Sequence, residues 1–219
     1  AETNQCNINI VEQVVTQLKK MSADTEDDPP AIVVRSTVPP GTCERLQVVH
    51  MPEYLTETRW ESDFIATSCW EIGVSDNLCF DRKRCISNLQ WLLMSCYGES
   101  VIDNPDSIVR ESGVTEMAKY MRNVMLAARV SLCNEIETFC RAKQIDYESV
   151  RQLAASDPRI GLSHTRVPGP DGLRGFGGTC LPKDLKALIV EMKKASTEPV
   201  VLEACSQRND QIDRPLKEW

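Results

Sequence analysis

The stretch of this sequence with the clearest chemical potential is a glycine-rich segment that ends in a cysteine and leads into a predicted helix. In RGFGGTCLPKDLKAL, Gly175, Gly177 and Gly178 precede Cys180, and Pro182 suits the first turn of a helix. Glycines let backbone amides approach a ligand closely, and the positive end of a helix favours the thiolate, the nucleophilic form of cysteine. The stretch therefore predicts a nucleophile; the alternative is an incidental cysteine in a glycine-rich loop.

Three polar residues could assist such a nucleophile. Asp184 lies in the first turn of the same predicted helix, where its carboxylate could orient a water or a substrate hydroxyl. In EMAKYMRNVML, Lys119 and Asn123 are four residues apart and share one face of a predicted helix. Aimed into a cleft, this pair could hold a developing oxyanion. A solvated polar face is the alternative explanation.

Two further segments contain residues suited to acid–base or ligand chemistry. Glu53 and Glu57, in MPEYLTE, follow a predicted strand end, and paired carboxylates can act as general bases. Two exposed glutamates are the alternative. Thr37, in RSTVPPG, lies on a strand-to-helix turn, where hydroxyls often contact phosphate or ribose.

Composition restricts the class of protein. The chain has 219 residues, 42% of them apolar and 26% charged, which is typical of a globular protein. A net charge of −7 argues against nucleic acid or an anionic membrane as the main partner. The apolar runs are shorter than the ~20 residues of a transmembrane helix, and the N-terminus is polar. These features predict a cytoplasmic protein, and the initial Ala predicts a processed or incomplete chain.

The sequence has ten cysteines but no C-x-x-C pair, and it has two histidines. Zinc sites usually need closely spaced pairs, so no metal site is predicted. Disulfide frameworks are typical of short secreted chains, which this one does not resemble. The cysteines other than Cys180 are therefore expected to be reduced and mostly buried.

The first half of the chain has the pattern of an α/β protein. A predicted helix is followed by a buried strand, the turn STVPPGT and a second helix, which is the order found in a parallel α/β sheet. A second strand and another helix come next. The predicted ranges are 8–21, 31–36, 44–50, 69–75 and 81–97.

The second half is predicted to be helical. Thirty residues from Gly113 to about Lys143 have helical spacing without an internal Gly or Pro, a length of about 45 Å. So long a helix commonly joins two domains or forms a dimer interface. Shorter helices are predicted from Asp146 or Tyr147, over 183–194 and over 198–213. The apolar face of the long helix consists of Val114, Met117, Met121, Val124, Met125, Ala128 and Leu132.

The motifs taken in order resemble a known enzyme family. STVPPGT, PEYLTE, the Lys–Asn helix, RIG and GFGGTCLPKD resemble the nucleotide-sugar 6-dehydrogenases, which include UDP-glucose and GDP-mannose 6-dehydrogenases. The compact phage, viral and archaeal-type members are the most similar. The resemblance implies part of a Rossmann-like, doubly wound parallel sheet over 1–112 and an all-α central dimerisation domain over 113–219. It also implies NAD-dependent oxidation of a sugar C6 alcohol, that of UDP-glucose first, to a carboxylate.

The resemblance also implies roles for individual residues. Cys180 would attack the intermediate aldehyde and form a thiohemiacetal and then a thioester, while Lys119 and Asn123 would stabilise the oxyanions. Asp184 would assist water or proton movement, and Glu53 or Glu57 would help to hydrolyse the thioester. Thr37, Glu57 and Lys183 would lie on the cofactor side. The substrate contacts implied are Gly175, Phe176, Gly177, Gly178 and Arg159, the last reaching the substrate of a neighbouring subunit in a homodimer or higher oligomer.

Three departures from the family pattern leave an alternative open. Leu181 stands where Phe is usual, and Met51 stands where Asn usually precedes Pro-Glu. The sequence has no G-x-G-x-x-G after a strand, so the first strands of the nucleotide-binding domain are expected to be missing. The alternative is a non-catalytic descendant that serves as a structural or assembly subunit.

Overall fold

A computed structural model describes residues 6–23, 30–56, 59–78, 81–98 and 109–216 of the chain. The chain divides into two compact units. The first unit is Asn7–Lys119, and the second runs from Tyr120 onward and includes Cys6. Glu57 and Cys79 lie outside the described residues.

The first unit is an α/β structure, as the sequence predicts. Its four strands form one sheet in the order β1-β2-β3-β4, in which β1 pairs with β2 and β3 with β4 in parallel. The elements in chain order are α1 (Asn9–Ala23), β1 (Val33–Val34), α2 (Thr42–Leu46), β2 (Val49–His50), α3 (Trp60–Ile65), β3 (Ile72–Val74), α4 (Arg82–Tyr97) and β4 (Val109–Glu111).

Two details of the sequence-based prediction are wrong. The predicted helix over 44–50 ends at Leu46, because Gln47 takes a left-handed conformation and caps it with its amide. The buried Val49 then pairs with β1, so that this segment becomes strand β2. The sheet is not wholly parallel either, since β2 and β3 are antiparallel and pair at His50 and Gly73.

Two apolar clusters stabilise the first unit. In one, Val49, Ile72 and Val74 from the strands pack with Leu89 and Leu93 of α4. In the other, Val15 of α1 packs with a set of aliphatic residues on and around β1 and α2: Ile32, Val34, Val38 and Val48. Helices α1 and α4 therefore contribute to the burial of β1, β2 and β3, whereas β4 is largely exposed.

The second unit is helical. Its elements are the long helix α5 (Ser112–Ala142), which starts in the first unit, then α6 (Tyr147–Ala155), α7 (Leu181–Lys194), α8 (Val200–Arg208) and a π-helical turn over Asn209–Asp213. Asp146 caps α6 with its carboxylate, which accepts from the amides of Glu148 and Ser149. The predicted long helix is confirmed, and the last predicted helix ends as a π turn. Within the described ranges, no helix is long and apolar enough to cross a membrane.

The apolar core of the second unit includes part of the glycine-rich loop. Phe176 is buried against Tyr120 and Val124 of α5 and against Leu185 and Leu188 of α7. Burying an aromatic ring of this size contributes roughly 2 kcal/mol or more to the stability of the unit. Burial of Phe176 therefore anchors the glycine-rich loop that leads to Cys180 in the core of the unit.

A buried chain of polar groups joins the sheet to the start of α5 in the first unit. His50 Nδ1 lies 2.8 Å from Thr115 Oγ1, which donates to the carbonyl of Ser112 at 2.9 Å. The hydroxyls of Ser112 and Ser75 are 2.5 Å apart. A Cβ at Gly73 would overlap Thr115 Oγ1, so the absence of a side chain there lets strand and helix approach.

Lowering the pH should destabilise the first unit through His50. Burial, reinforced by the charge of Lys119 and opposed by a hydrogen bond to Ser36, lowers the pKa of His50 from 6.5 to about 4. The unfolded chain binds a proton in this interval and the folded chain does not. The stabilisation is therefore complete above pH 6.5 and is lost as the pH falls towards 4, by at most about 3 kcal/mol.

Urea unfolding of the wild type and of His50→Asn at several pH values measures this effect. Asn can retain a hydrogen bond to Thr115 but does not titrate, so the difference in free energy of unfolding between the two proteins should shrink as the pH falls. Identical pH dependence in both proteins would show that another group is responsible.

Candidate active site

Cys180 is exposed and directly precedes α7, as the sequence predicts. Its carbonyl accepts from the Asp184 amide at 2.9 Å, which is the first hydrogen bond of the helix. Pro182 occupies the first turn, where its missing N–H costs nothing. The Thr179 hydroxyl lies 3.7 Å from Cys180 Sγ. The thiol is thus accessible at the positive end of a helix of 14 residues.

Asp184 is buried, and both of its carboxylate oxygens are engaged. Oδ2 accepts from Asn123 Nδ2 at 2.5 Å, and Oδ1 lies 2.7 Å from Lys183 Nζ. Burial disfavours the charge of Lys183, but the hydrogen bond to Asp184 outweighs it and raises the pKa of Lys183. Asn123 and Asp184, chosen separately in the sequence, lie in direct contact, and Lys183 shares the same carboxylate.

Lys119 is buried in the first unit and is held by the segment after β2. Its Nζ donates to the carbonyl of Glu53 at 2.6 Å and lies 5.1 Å from the centre of the Tyr54 ring. The side chain of Glu53 is about half exposed, with Oε2 3.8 Å from Arg35. It is therefore the backbone of Glu53, and not its carboxylate, that positions the ammonium of Lys119.

Arg35 is a positioning residue that the sequence-based reasoning missed. Its guanidinium carbon lies 5.3 Å from the ring centre of Trp70 and 5.4 Å from that of Phe64. These cation–π contacts fix the guanidinium beside Glu53. Nothing in the spacing of these residues pointed to the contact, since they are distant in sequence.

Glu116 was also missed as a structural determinant of this region. Its side chain is fully buried, and its two oxygens accept from the amides of Gly41 and Cys43 at 2.6 and 2.8 Å. Burial raises the pKa of Glu116 despite these hydrogen bonds. The carboxylate fixes the turn that contains Thr37, which is half-buried just after β1.

The same contacts bear on the dinucleotide that the resemblance implies. A diphosphate would need backbone amides at a glycine turn, and the sequence has no G-x-G-x-x-G. At the turn after β1, the amides of Gly41 and Cys43 already donate to Glu116. The turn after β1 is therefore not available to hold the phosphates of a dinucleotide through these two amides.

Arg159 lies apart from the residues around Asp184. Its side chain is exposed and pairs with Asp157, with Nη2 2.5 Å from Oδ2. This hydrogen-bonded pairing raises the pKa of Arg159. Within its own unit, the described structure gives it no contact with Cys180, Asn123 or Asp184.

The remaining predicted substrate contacts form the loop that leads to Cys180. Gly175 and Gly178 have positive φ angles of 66° and 73°, which glycine adopts without strain. The amide of Gly175 donates to Asn134 Oδ1 at 3.2 Å. Phe176 points into the core, so its backbone, and not its ring, is available to line a site.

Comparison with a family model matches residues 113–211 to the central domain of the UDP-glucose/GDP-mannose dehydrogenase family. Among curated proteins, YtcA of Bacillus subtilis, provisionally named as a UDP-glucose 6-dehydrogenase, is 32% identical over 193 residues, or 82% of this chain and 41% of its own length. The GDP-mannose 6-dehydrogenase of Pseudomonas savastanoi pv. phaseolicola is 30% identical over 81% of this chain and 41% of its own.

A solved structure agrees with these relatives. The UDP-glucose dehydrogenase of the hyperthermophilic archaeon Pyrobaculum islandicum superposes with a TM-score of 0.75 and 26% identity, covering 96% of this chain and 48% of the archaeal chain. The chain thus spans about half of this structure and about two fifths of the curated relatives it matches.

Alkylation should distinguish Cys180 from a matched internal control, Cys96. The expectation that the other cysteines are mostly buried is wrong for most of those that the structure describes: Cys43, Cys85 and Cys140 are buried, four are half-buried, and Cys96 is exposed in the last turn of α4. The helix ends stabilise the thiolate at Cys180 and oppose it at Cys96, so Cys180 should react about tenfold faster at neutral pH. Competitive labelling followed by mass spectrometry measures the ratio.

The same labelling in denaturant provides the control, because the two thiols should then react at similar rates. A folded protein in which Cys180 reacts no faster than Cys96 would contradict its assignment as a nucleophile.

Proposed function

The chain belongs to the UDP-glucose/GDP-mannose dehydrogenase family, and we propose on that basis that it serves the NAD-dependent oxidation of the C6 alcohol of a nucleotide sugar to a carboxylate. UDP-glucose is the substrate that we expect first. The observation that supports this proposal best is the contact between Asn123 and the buried carboxylate of Asp184, at the start of the helix that Cys180 precedes.

The chemistry assigned to Cys180 is the conversion of an aldehyde to an acid. Its thiolate adds to the aldehyde carbon at C6, a C–S bond forms and the carbonyl oxygen becomes the oxyanion of a thiohemiacetal. Loss of a hydride from that carbon leaves a thioester. Water then adds to the thioester carbon, the C–S bond breaks, and the sugar acid and the thiolate are released. NAD, when bound, accepts one hydride in each of the two oxidations.

The neighbouring residues of this chain have separate tasks in the proposal. Asn123 donates one amide hydrogen to Asp184, which fixes its rotamer, and its second amide hydrogen stabilises the oxyanion. Asp184 orients the hydrolytic water, and Lys183 forms an ion pair with its carboxylate. Lys119 stabilises developing negative charge on oxygen. Its ammonium is pre-oriented by the Glu53 carbonyl.

The other assigned residues follow from the family. Thr37, Glu57 and Lys183 are assigned to the cofactor side, and either Glu53 or Glu57 assists hydrolysis of the thioester. The backbone of the loop from Gly175 to Gly178 lines the sugar site, and Arg159 reaches the substrate of a second copy of the chain. Its guanidinium is exposed, as this role requires.

The assembly proposed is a homodimer or a higher oligomer formed through α5. Met125, Leu132 and Phe139 are spaced by seven residues, and each is 59% exposed. Seven-residue spacing places them along one face of the helix. So long an exposed apolar stripe marks an interface in most soluble proteins.

A structural or assembly subunit is the second candidate. It is favoured by one observation, the occupation of the amides after β1 by Glu116 in a sequence without a phosphate-binding glycine turn. A protein of this kind would retain the helical unit and its interface but would not turn over a nucleotide sugar.

Substitution of the nucleophile tests the enzymatic proposal. Cys180→Ser should abolish acid formation, because a serine hydroxyl ionises far less readily than a thiol and cannot form the thioester. Lys119→Ala should slow both oxidations by about 10²–10³-fold, the usual cost of losing one oxyanion donor. The assay measures two NADH per UDP-glucose, GDP-mannose or UDP-N-acetylhexosamine. It is run on the 219-residue chain and on a chimera in which this chain replaces the matching region of YtcA.

Cys96→Ser is the control and should leave the rate unchanged. Sugar acid released by Cys180→Ser at the parent rate would contradict the mechanism. If neither protein binds NAD or oxidises any of the three sugars, the structural-subunit proposal replaces the enzymatic one.

A charged substitution on α5 tests the interface. The wild type should be a dimer or larger by light scattering at micromolar concentration, and the double variant Met125→Glu, Leu132→Glu should be a monomer, because burying two carboxylates in an apolar contact is costly. Leu153→Glu is the matched control: Leu153 is 78% exposed on α6 and lies off the stripe. A monomeric wild type, or a double variant that still associates, would rule out this face.

A further inference from the structure

The segment at the end of α8 binds the glycine-rich loop. Beyond the α-helical part, residues Asn209–Asp213 form a π-helical turn, and Arg214 follows outside the helical region, with φ −143° and ψ 62°. π turns are rare and are often found at functional sites. We propose that Asn209 and Arg214 are positioning residues for Cys180, which they hold through this loop. The proposal rests on the proposed role of Cys180.

Asn209 binds the loop through both ends of its side-chain amide. Oδ1 accepts from the Phe176 amide at 2.8 Å, and Nδ2 donates to the Phe176 carbonyl at 3.0 Å. Asn209 is 1% exposed, so neither bond competes with bulk water. One side chain thereby fixes the two peptide planes that flank Phe176, as a neighbouring strand would.

Arg214 binds the loop from its other side. Its Nε donates to the Arg174 carbonyl at 3.0 Å, and its Nη2 pairs with Asp171. The third nitrogen, Nη1, lies where a Cβ at Gly177 would be. The guanidinium is nearly buried and spans the loop from residue 171 to residue 177.

The loop sequence is matched to these two side chains. A Cβ at Gly175 would overlap Asn209 Oδ1, and a Cβ at Gly177 would overlap the guanidinium of Arg214. Gly175 has a φ of 66°, but the φ of Gly177 is not in the left-handed region. Gly177 is therefore required by the arginine and not by its own backbone conformation.

Buried ion pairs anchor the two positioning residues. The carboxylate of Asp213 is fully buried between Arg208, at 2.9 Å, and Arg174, at 3.5 Å. Arg174 also donates to the carbonyl of Asn134 on α5 at 2.9 Å. The loop, α5 and the C-terminal turn are thus joined by one network of charged hydrogen bonds.

The position of the thiol depends on this network because the chain between them is short. Gly177 and Cys180 are three positions apart, a reach of at most about 11 Å even when the chain is extended. A shift of about 1 Å in a reacting group can cost about 100-fold in rate. Asn209 and Arg214 thereby set the direction from which the thiolate meets a substrate.

The ratio of Cys180 to Cys96 alkylation in the 219-residue chain tests the proposal without a substrate. Asn209→Ala should lower this ratio several-fold, from about ten towards one, and shift its pH profile, because the thiol loses its fixed position at the start of α7. Gln207→Ala, an exposed change on α8 itself, is the matched control and should leave the ratio unaltered. Tm is measured on every variant.

A double substitution tests the contact at Gly177. Gly177→Ala should lower the labelling ratio and Tm in the parent, where the new methyl group meets Arg214. In the Arg214→Ala background the same change should have no further effect, because the obstructing guanidinium is gone. This non-additivity is the signature of a direct contact.

Two results would overturn the proposal. One is that Asn209→Ala lowers Tm but leaves the labelling ratio and its pH profile unchanged, which is a purely structural role. The other is that Gly177→Ala has equal effects in both backgrounds. A parent ratio near one would contradict the nucleophile itself, and the loop contacts would then be judged by the non-additivity of Tm alone, with additive effects overturning them.

Discussion

A buried polar group must be paired, and the organisation of this chain follows from applying that constraint to one helix. Helix α5 buries a series of polar side chains that its own backbone does not fully pair. Thr115 and Asn134 donate to carbonyls of the helix, but their side-chain oxygens still need partners from outside it. An unpaired group of this kind would cost roughly 1–3 kcal/mol, so each one has to reach a segment outside the helix. The pairs formed in the first unit are Thr115 with His50, Glu116 with the amides of Gly41 and Cys43, and Lys119 with the Glu53 carbonyl; those in the second unit are Asn123 with Asp184 and Asn134 with Gly175.

Because these partners lie on loops and on other helices and strands, the helix determines where the candidate functional residues lie within each unit. The Glu53 carbonyl orients Lys119, and the hydrogen bond to Asp184 fixes the rotamer of Asn123. Pre-oriented donors need no reorganisation when charge develops on a substrate, which is the property that electrostatic catalysis requires. The side chains that pair buried groups in the fold are therefore the same ones to which we assign the chemistry.

The sequence predicts the parts of this arrangement that are local. The spacing of apolar residues along α5, the cap at Asp146 and the turn before Cys180 are each readable from a few neighbouring residues, and the structure contains all three. The direction of β3 could not be predicted, since an alternating or buried strand looks the same in either direction. Val49 was assigned to a helix because its pairing with β1 is invisible in the local pattern.

The contacts that escape prediction all join residues far apart in the chain. Glu116 had a visible signal, its position three residues before Lys119 on the same face of the predicted helix, but its burial and its partners could not be inferred. Asn209 had none, because it is 29 positions from Cys180 and resembles any polar residue near a helix end. Glu53 was selected for its carboxylate, whereas the atom that meets Lys119 is its carbonyl oxygen.

The packing of Arg214 on Gly177 has a consequence for inheritance. Where a small residue replaces Arg214, position 177 can accept a side chain. A side chain at position 177 can therefore appear only after the arginine has been lost. The two positions are 37 apart in the sequence, yet they form one inherited unit. Among the descendants of this chain, arginine at 214 should occur only together with glycine at 177.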